Sequence, residues 1–120
     1  MPDFERLKVW QAGHQLALEA YRIVRLLPEE ERFSLGDQMR RAAVAIPANI
    51  AEGHGRTGRA EFRPFISVAL GSLSELQAAV LIARDLDYLG DYDLDRFWDL
   101  ASQVGKMLGA LHQHLVTSRR

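Results

Sequence analysis

The sequence has no cysteine, almost no net charge and no long uninterrupted apolar run. Without Cys, disulfides, thiolate metal sites and cysteine nucleophiles are excluded. Fifteen Lys and Arg against sixteen Asp and Glu give a formal net charge of −1, which argues against a polyanion binder acting through net charge alone. The N-terminus lacks a basic region followed by an apolar run, and apolar runs stop short of the roughly 20 residues of a membrane-spanning helix. We therefore expect a cytoplasmic protein that does not span a membrane.

Length and composition favour one globular domain. The chain has 120 residues, of which 48% are hydrophobic and 26% charged, values typical of soluble folded proteins. A chain of this length can bury a core without disulfide or metal staples. We expect a single domain over residues 1–120.

Apolar residues recur at alternating steps of three and four in four separate segments, and no segment shows the strict alternation of a half-buried strand. This spacing places the apolar residues of each segment on one side of a helix. Short connections between helices make neighbours antiparallel, so the pattern predicts an all-α, up-down-up-down four-helix bundle. The inward residues include Val9, Leu16 and Ile23 in the first segment, Met39, Ile46 and Ile50 in the second, Ile66, Leu73 and Val80 in the third, and Leu94, Phe97 and Leu108 in the fourth.

Local signals predict the ends of the second helix. Ser34 followed by Asp37 fits a capping box at its start. At its end, the glycines can each supply a left-handed cap; they are Gly53, Gly55 and Gly58.

Two prolines and an aspartate give further expectations. Pro47 lies inside the second segment, where it removes one backbone hydrogen bond. Pro64 is best tolerated in a first helical turn, which places the start of the third helix near residues 61–63. Asp93 is the expected cap of the fourth helix.

The second and third segments are too apolar for the surface of a monomer. Residues 42–51 read AAVAIPANIA and residues 78–83 read AAVLIA. A helix that is apolar on all sides is buried on all sides, and a small bundle cannot hide two such helices. Surface alanine explains part of this pattern, but it does not explain Val44, Leu81 and Ile82. We therefore predict that these residues contact other subunits of a homo-oligomer.

No catalytic or metal-binding constellation stands out. Di-iron bundles carry Glu-x-x-His on two helices, and no glutamate here has histidine three positions later. The sequence has no Gly-x-Ser-x-Gly elbow and no phosphate-binding loop ending in lysine. We expect neither enzymatic activity, nor a metal or cofactor, nor a small-molecule substrate.

Arginines form the most unusual charge grouping. Between residues 40 and 63 there are five arginines against Glu52 and Glu61, a net charge of +3. Arginine suits bidentate phosphate contact, and a helix N-terminus nearby favours anions. The alternative is structural, with Glu52 pairing with Arg56 at i,i+4 and other arginines pairing with acids of a neighbouring subunit. The candidate nucleic-acid-binding residues are Arg40, Arg41, Arg56, Arg59 and Arg63.

Asn49 continues the inward side of the second helix. A lone buried amide often fixes register or partner choice, and this one is placed to donate to a carbonyl that Pro47 leaves without a donor. We interpret Asn49 and Glu52 as structural rather than catalytic.

Residues 38–56, QMRRAAVAIPANIAEGHGR, resemble the signature of the four-helix-bundle family named for proteins encoded in 23S rRNA intervening sequences. The flanking stretch LKVWQ at residues 7–11 is similar to the opening of that family, and ALGSLSEL at residues 69–76 is similar to its third helix. Ala45 stands where serine is usual, and Pro64 is atypical. The residues that carry the signature include Gln38, Pro47, Asn49, Glu52 and Gly53.

The resemblance implies a homopentameric barrel of bundles. It also implies kinship with the accessory variability protein of diversity-generating retroelements, which binds nucleic acid and a reverse transcriptase. We therefore expect a non-enzymatic oligomeric accessory or scaffold protein that binds RNA or a nucleic-acid-processing partner through its arginines. The alternative is a protein-only assembly module without nucleic-acid binding.

Overall fold

The computed structural model describes residues 2–56 and 58–117, and these form four α-helices without strands. The helices are α1 (Lys8–Val24), α2 (Leu35–His54), α3 (Arg59–Asp85) and α4 (Asp91–Thr117). Short 3₁₀ segments precede α1 (Asp3–Arg6) and α2 (Glu29–Glu31). The predicted helical class and the number of helices are confirmed.

Each helix packs against its neighbours in sequence, and α4 closes the bundle against α1. At one end, the Tyr88 hydroxyl after α3 donates to Glu31 before α2, at 2.9 Å. At the other end, His54 of α2 lies 2.8 Å from Asp3. Successive helices therefore run in opposite directions along a body of 49 × 24 × 21 Å.

The core is made of the predicted apolar rows. The largest fully buried side chains come from all four helices, because each helix turns one apolar side inward. They are Leu16, Ile23, Met39, Ile46, Ile50, Ile66, Leu76, Val80, Leu94, Phe97, Val104 and Leu108.

The predicted caps of α2 are wrong. Ser34 makes no side-chain hydrogen bond to the backbone of the helix; its hydroxyl donates to Glu31 Oε1 at 2.7 Å instead. No described glycine has a positive φ, since α2 continues through Gly53 and reaches its C-cap, Gly55, at a φ of −75°. Backbone conformation at these ends depends on neighbouring segments, which sequence spacing does not report.

Among the residues that the structure describes, Asp87, after α3, has the left-handed conformation. Its φ is 64°, and its N–H donates to Arg84 O at 2.9 Å while the Tyr88 N–H donates to Ala83 O at 3.0 Å. This pair of bonds is a Schellman motif, and Asp is among the residues that tolerate the left-handed conformation.

The starts of α3 and α4 also differ from the predictions. α3 begins at Arg59, before the predicted residues 61–63, and Pro64 lies inside it. The carbonyl that loses its donor to Pro64 belongs to exposed Ala60, where solvent can reach it. α4 begins at Asp91, and Asp93 accepts the Gly90 N–H at 3.1 Å as its third residue rather than as its cap.

Candidate functional site

The structure separates the five candidate arginines into two groups. Arg40 and Arg41 lie in the first half of α2, whereas Arg56, Arg59 and Arg63 lie beyond its end or on α3. At 1.5 Å per helical residue, Arg40 and Arg56 are about 24 Å apart along the bundle. The expectation of one arginine-rich region is therefore wrong, because neighbours in sequence occupy opposite ends of a helix.

Arg40 is held by contacts within the chain. Its guanidinium donates to Asp37 Oδ1 at 2.7 Å and to the carbonyl of Arg32 at 2.8 Å. These bonds tie the start of α2 to the connection from α1, and they give Arg40 a structural role.

Arg56 is also paired, as the structural alternative predicts. Its guanidinium donates to Glu52 Oε2 at 2.7 Å, an i,i+4 pair, and lies 4.9 Å from the centre of the Phe65 ring. The ion pair and the cation–π contact both fix this side chain at the turn between α2 and α3.

The remaining three arginines differ in their contacts. Arg59 donates to His114 Nε2 at 2.9 Å and so joins α3 to α4. Arg41 and Arg63 are exposed, and neither makes a hydrogen bond or ion pair within residues 2–56 and 58–117. These two guanidinium groups are the ones most available to a partner.

Two arginines outside the predicted set lie near Arg40. Arg25 and Arg32 line a cleft between α1 and α2 together with Tyr21 and Arg40. Arg32 is paired with Glu29 at 3.4 Å. Arg25 and Arg32 lie on either side of the short connection between α1 and α2. Because such a connection brings its two flanks together, their positions in the sequence could have predicted this cluster.

Three signature residues of α2, Pro47, Asn49 and Gly53, have structural roles. The Asn49 amide is half-buried and donates to the carbonyl of Ala45 at 2.7 Å. Pro47 removes the donor of a different carbonyl, that of Ala43, so the predicted bond to the freed carbonyl is wrong. A Cβ on Gly53 would lie 2.7 Å from Phe62 Cδ1, so this glycine permits the close approach of α3.

An ion pair within α1, between buried Glu19 and exposed Arg22, contacts α4, and the sequence patterns did not reveal it. Arg22 donates to both carboxylate oxygens of Glu19, the shortest contact being 2.6 Å. The same guanidinium donates to the carbonyl of Asp93 at 2.6 Å, and Arg96 lies 3.6 Å from Glu19. The Glu19 hydrogen bond raises the pKa of Arg22. The sequence feature that could have indicated this ion pair is Glu19, a charged residue next to the buried residues of α1.

The predicted interface residues are exposed in the single chain. Val44 is 47% exposed, Leu81 36% and Ile82 52%. Val68, which the sequence patterns did not single out, is 52% exposed on α3. By length and composition alone, α3 is also the described helix that could cross a membrane, a test that core helices of bundles also pass; 39% of its most apolar 18-residue stretch is buried.

The described residues contain no group of three or more His, Asp and Glu side chains suited to a metal ion. Gln38 is exposed and lines a groove between α2 and α3 with Arg41 and Glu75. The site therefore consists of exposed arginines and exposed apolar residues on α2 and α3.

Comparison with known proteins gives the chain its family. The family model described as 23S rRNA-intervening sequence protein matches residues 5–110. The chain belongs to this family. A crystal structure of a protein of unknown function from the S23 ribosomal protein family of Bacteroides thetaiotaomicron is similar to it, with a TM-score of 0.80 at 20% identity.

That likeness covers 88% of this chain and 98% of the other, and at this identity it shows the fold alone. No curated protein matches the sequence. The family match and the similar crystal structure thus agree with the helical architecture. The kinship with the retroelement accessory protein stays a prediction.

Proposed function

We propose that this protein is a non-enzymatic, cytoplasmic scaffold that assembles with copies of itself. The observation that supports this most strongly is on α3: between Pro64 and Ile82 the helix has one charged residue, Glu75. Single exposed apolar residues are ordinary, but contiguous apolar surface is typical of interaction sites.

Exposed residues of the neighbouring helix α2 add to this surface: Arg41 and Val44 line a groove that Tyr21 of α1 also lines. We use the name α2–α3 face for the exposed residues Arg41, Val44, Val68, Glu75, Leu81 and Ile82. The exposed side of α4, by comparison, carries Asp95, Arg96, Asp99 and Lys106. This contrast favours the α2–α3 face as the contact between copies, and a pentamer is the number that the family resemblance implies.

Aspartate substitutions test this proposal. Val44→Asp and Leu81→Asp place a charge within the proposed contact, so each variant should shift the assembly toward the 13.6 kDa monomer in multi-angle light scattering, because a buried unpaired charge is costly. Ala110→Asp, at an exposed alanine of α4, is the matched control and should keep the wild-type mass. Wild-type mass in both test variants would contradict the placement of the interface.

A second candidate function is RNA binding at the end of the bundle where α3 begins. Arg59 and Arg63 are four residues apart on successive turns of α3, and both are exposed. The name of the family connects its genes with ribosomal RNA. Assembly would bring several copies of this end together and so raise its local positive charge.

Salt dependence tests RNA binding. Binding of a structured ribosomal RNA fragment should weaken log-linearly with salt, and Arg63→Gln should reduce the slope by about 1 because one phosphate contact is lost. Lys106→Gln, on α4, is the control and should leave the slope unchanged. If the fragment does not bind at low salt, the protein-only assembly module remains.

A further inference from the structure

Two opposite charges lie together in the otherwise uncharged middle of the α2–α3 face. Arg41 of α2 and Glu75 of α3 line the same groove, together with Gln38, Ala42 and Ala45. The helices are antiparallel, so this groove is where the first half of α2 passes the middle of α3.

Both charges lack a partner within the part of the chain that the structure describes. Arg41 and Glu75 are exposed, and neither takes part in an ion pair or hydrogen bond there, not even with each other. Other arginines of α2 and its turn are satisfied locally, as Arg40 is by Asp37 and Arg56 is by Glu52. Arg41 and Glu75 are therefore available to groups outside the chain.

Apolar side chains flank the acidic member of the pair. Val68 and Ile82 stand seven residues before and after Glu75, a spacing that keeps all three on one line along α3. Both are half-exposed. A partner that covers Val68 and Ile82 must also cover Glu75, and a carboxylate removed from water needs a positive partner.

We propose that Arg41 of one copy of this chain pairs with Glu75 of a neighbouring copy, and that this pair sets the register of the assembly. The inference rests on the proposed function, and it names the contact that directs it. A second copy is the occupant because the face carries both halves of the pair and the apolar residues around them. Charge complementarity across an interface fixes register and rejects wrong arrangements.

Charge reversal with mixing tests the proposal. Arg41→Glu leaves two acidic groups in the proposed contact, and Glu75→Arg leaves two basic groups. Because like charges then meet, the affinity between copies of each variant alone should be lower than that of wild type by roughly tenfold or more. Mixed in equal amounts, the two variants restore opposite charges at each contact between unlike copies, since the acidic groups of one variant meet the basic groups of the other. A ring of five keeps at least one contact between like copies, so its recovery is partial. A tagged copy of one variant should therefore retain the other. Sedimentation velocity gives the masses, and far-UV circular dichroism shows that each variant is folded.

The outcomes separate a contact between copies from a contact within one copy. Recovery on mixing supports a pair between copies, since a pair within one chain stays mismatched in each variant. Lys106→Glu on α4 is the matched charge reversal and should assemble as wild type does. Wild-type assembly by both reversed variants, or no recovery on mixing, overturns the inference while the proposed scaffold stands. A wild-type protein that stays monomeric overturns both.

Discussion

At the scale of single residues, Gly53 is a position where α2 and α3 leave no room for a Cβ atom. A Cβ there would lie 2.7 Å from Phe62 Cδ1 and 2.8 Å from Phe65 Cβ. Phe65 Cβ is bonded directly to the backbone of α3, so it cannot move away without displacing the helix. The glycine is thus required for close approach and not for a left-handed turn.

Gly53→Ala should therefore lower the free energy of unfolding by about 1–3 kcal/mol, the usual cost of overpacking. Urea denaturation measures it. Gly109→Ala is the control: a Cβ at Gly109 meets nothing within 4 Å, so this change should stabilise α4 by about 0.5–1 kcal/mol through helix propensity. Equal effects of the two substitutions would show that the approach of α3 is not the reason for Gly53.

Tyr88 and Glu31 give a second prediction at this scale. The hydrogen bonds from Ser34 and Tyr88 lower the pKa of Glu31 below its ordinary 4.5, and the bond to Glu31 raises the pKa of Tyr88 above its ordinary 10.0. A lowered carboxyl pKa gives stability that is lost as pH falls through it, and a raised phenol pKa gives stability that is lost as pH rises through it.

The difference in unfolding free energy between wild type and Tyr88→Phe should therefore be constant from about pH 5 to pH 9 and shrink outside that range. Denaturation at pH 3, 7 and 10.5 measures it. Tyr92→Phe removes a hydroxyl from a side chain that is 91% exposed and serves as the control. A Tyr88→Phe difference of the same size at all three pH values would contradict the role of this bond.

At the scale of elements, the Glu19–Arg22 pair connects α1 to the start of α4. The Glu19 side chain is 4% exposed, whereas Arg22 is 44% exposed, so removing the arginine leaves a buried carboxylate with Arg96 alone. Arg22→Ala should destabilise the bundle by about 2 kcal/mol, less than a fully buried pair because solvent reaches Arg22.

Arg25→Ala is the matched control for this pair. Arg25 is exposed one turn further along the chain, beyond the end of α1, so its loss should change stability by less than about 0.5 kcal/mol. Thermal unfolding of both variants compares them directly. Equal midpoints would show that Glu19 does not depend on Arg22.

The same elements show how far sequence reasoning reaches. The apolar rows through Leu16, Ile46, Leu76 and Val104 predict four helices and their inward sides. A helix that buries one side has apolar residues at intervals of three and four, and these intervals are visible in the sequence. The Glu52–Arg56 pair was predictable for the same reason, as an i,i+4 spacing. Local spacing therefore carries the helices and the contacts within them.

Contacts between elements were not predictable in this way. The cap expected from Ser34 is absent because Glu31 takes its hydroxyl. From the sequence alone, Glu19 would be interpreted as a surface charge. In the structure its partner Arg22 also donates to the carbonyl of Asp93 on α4. The five arginines form one group in the sequence and two groups in space, because α2 separates them. Each of these features depends on which segments the fold brings together.

At the scale of the whole molecule, the α2–α3 face accounts for residues that the single bundle leaves unexplained. Val44, Val68 and Ile82 contribute exposed apolar area, and Arg41 and Glu75 contribute charges without an ion pair among the described residues. Assembly between copies would remove the apolar area from water and pair the charges in one step. Any RNA contact then belongs to the other arginine group, near Arg59 and Arg63.

The most direct test of this account is to measure the mass of the untagged wild-type protein in solution. Sedimentation velocity over a micromolar concentration series should give a single species at a multiple of 13.6 kDa, and a pentamer would have five times that mass. A species that stays at 13.6 kDa across the series would contradict the account, because the α2–α3 face would then be exposed in the functional protein.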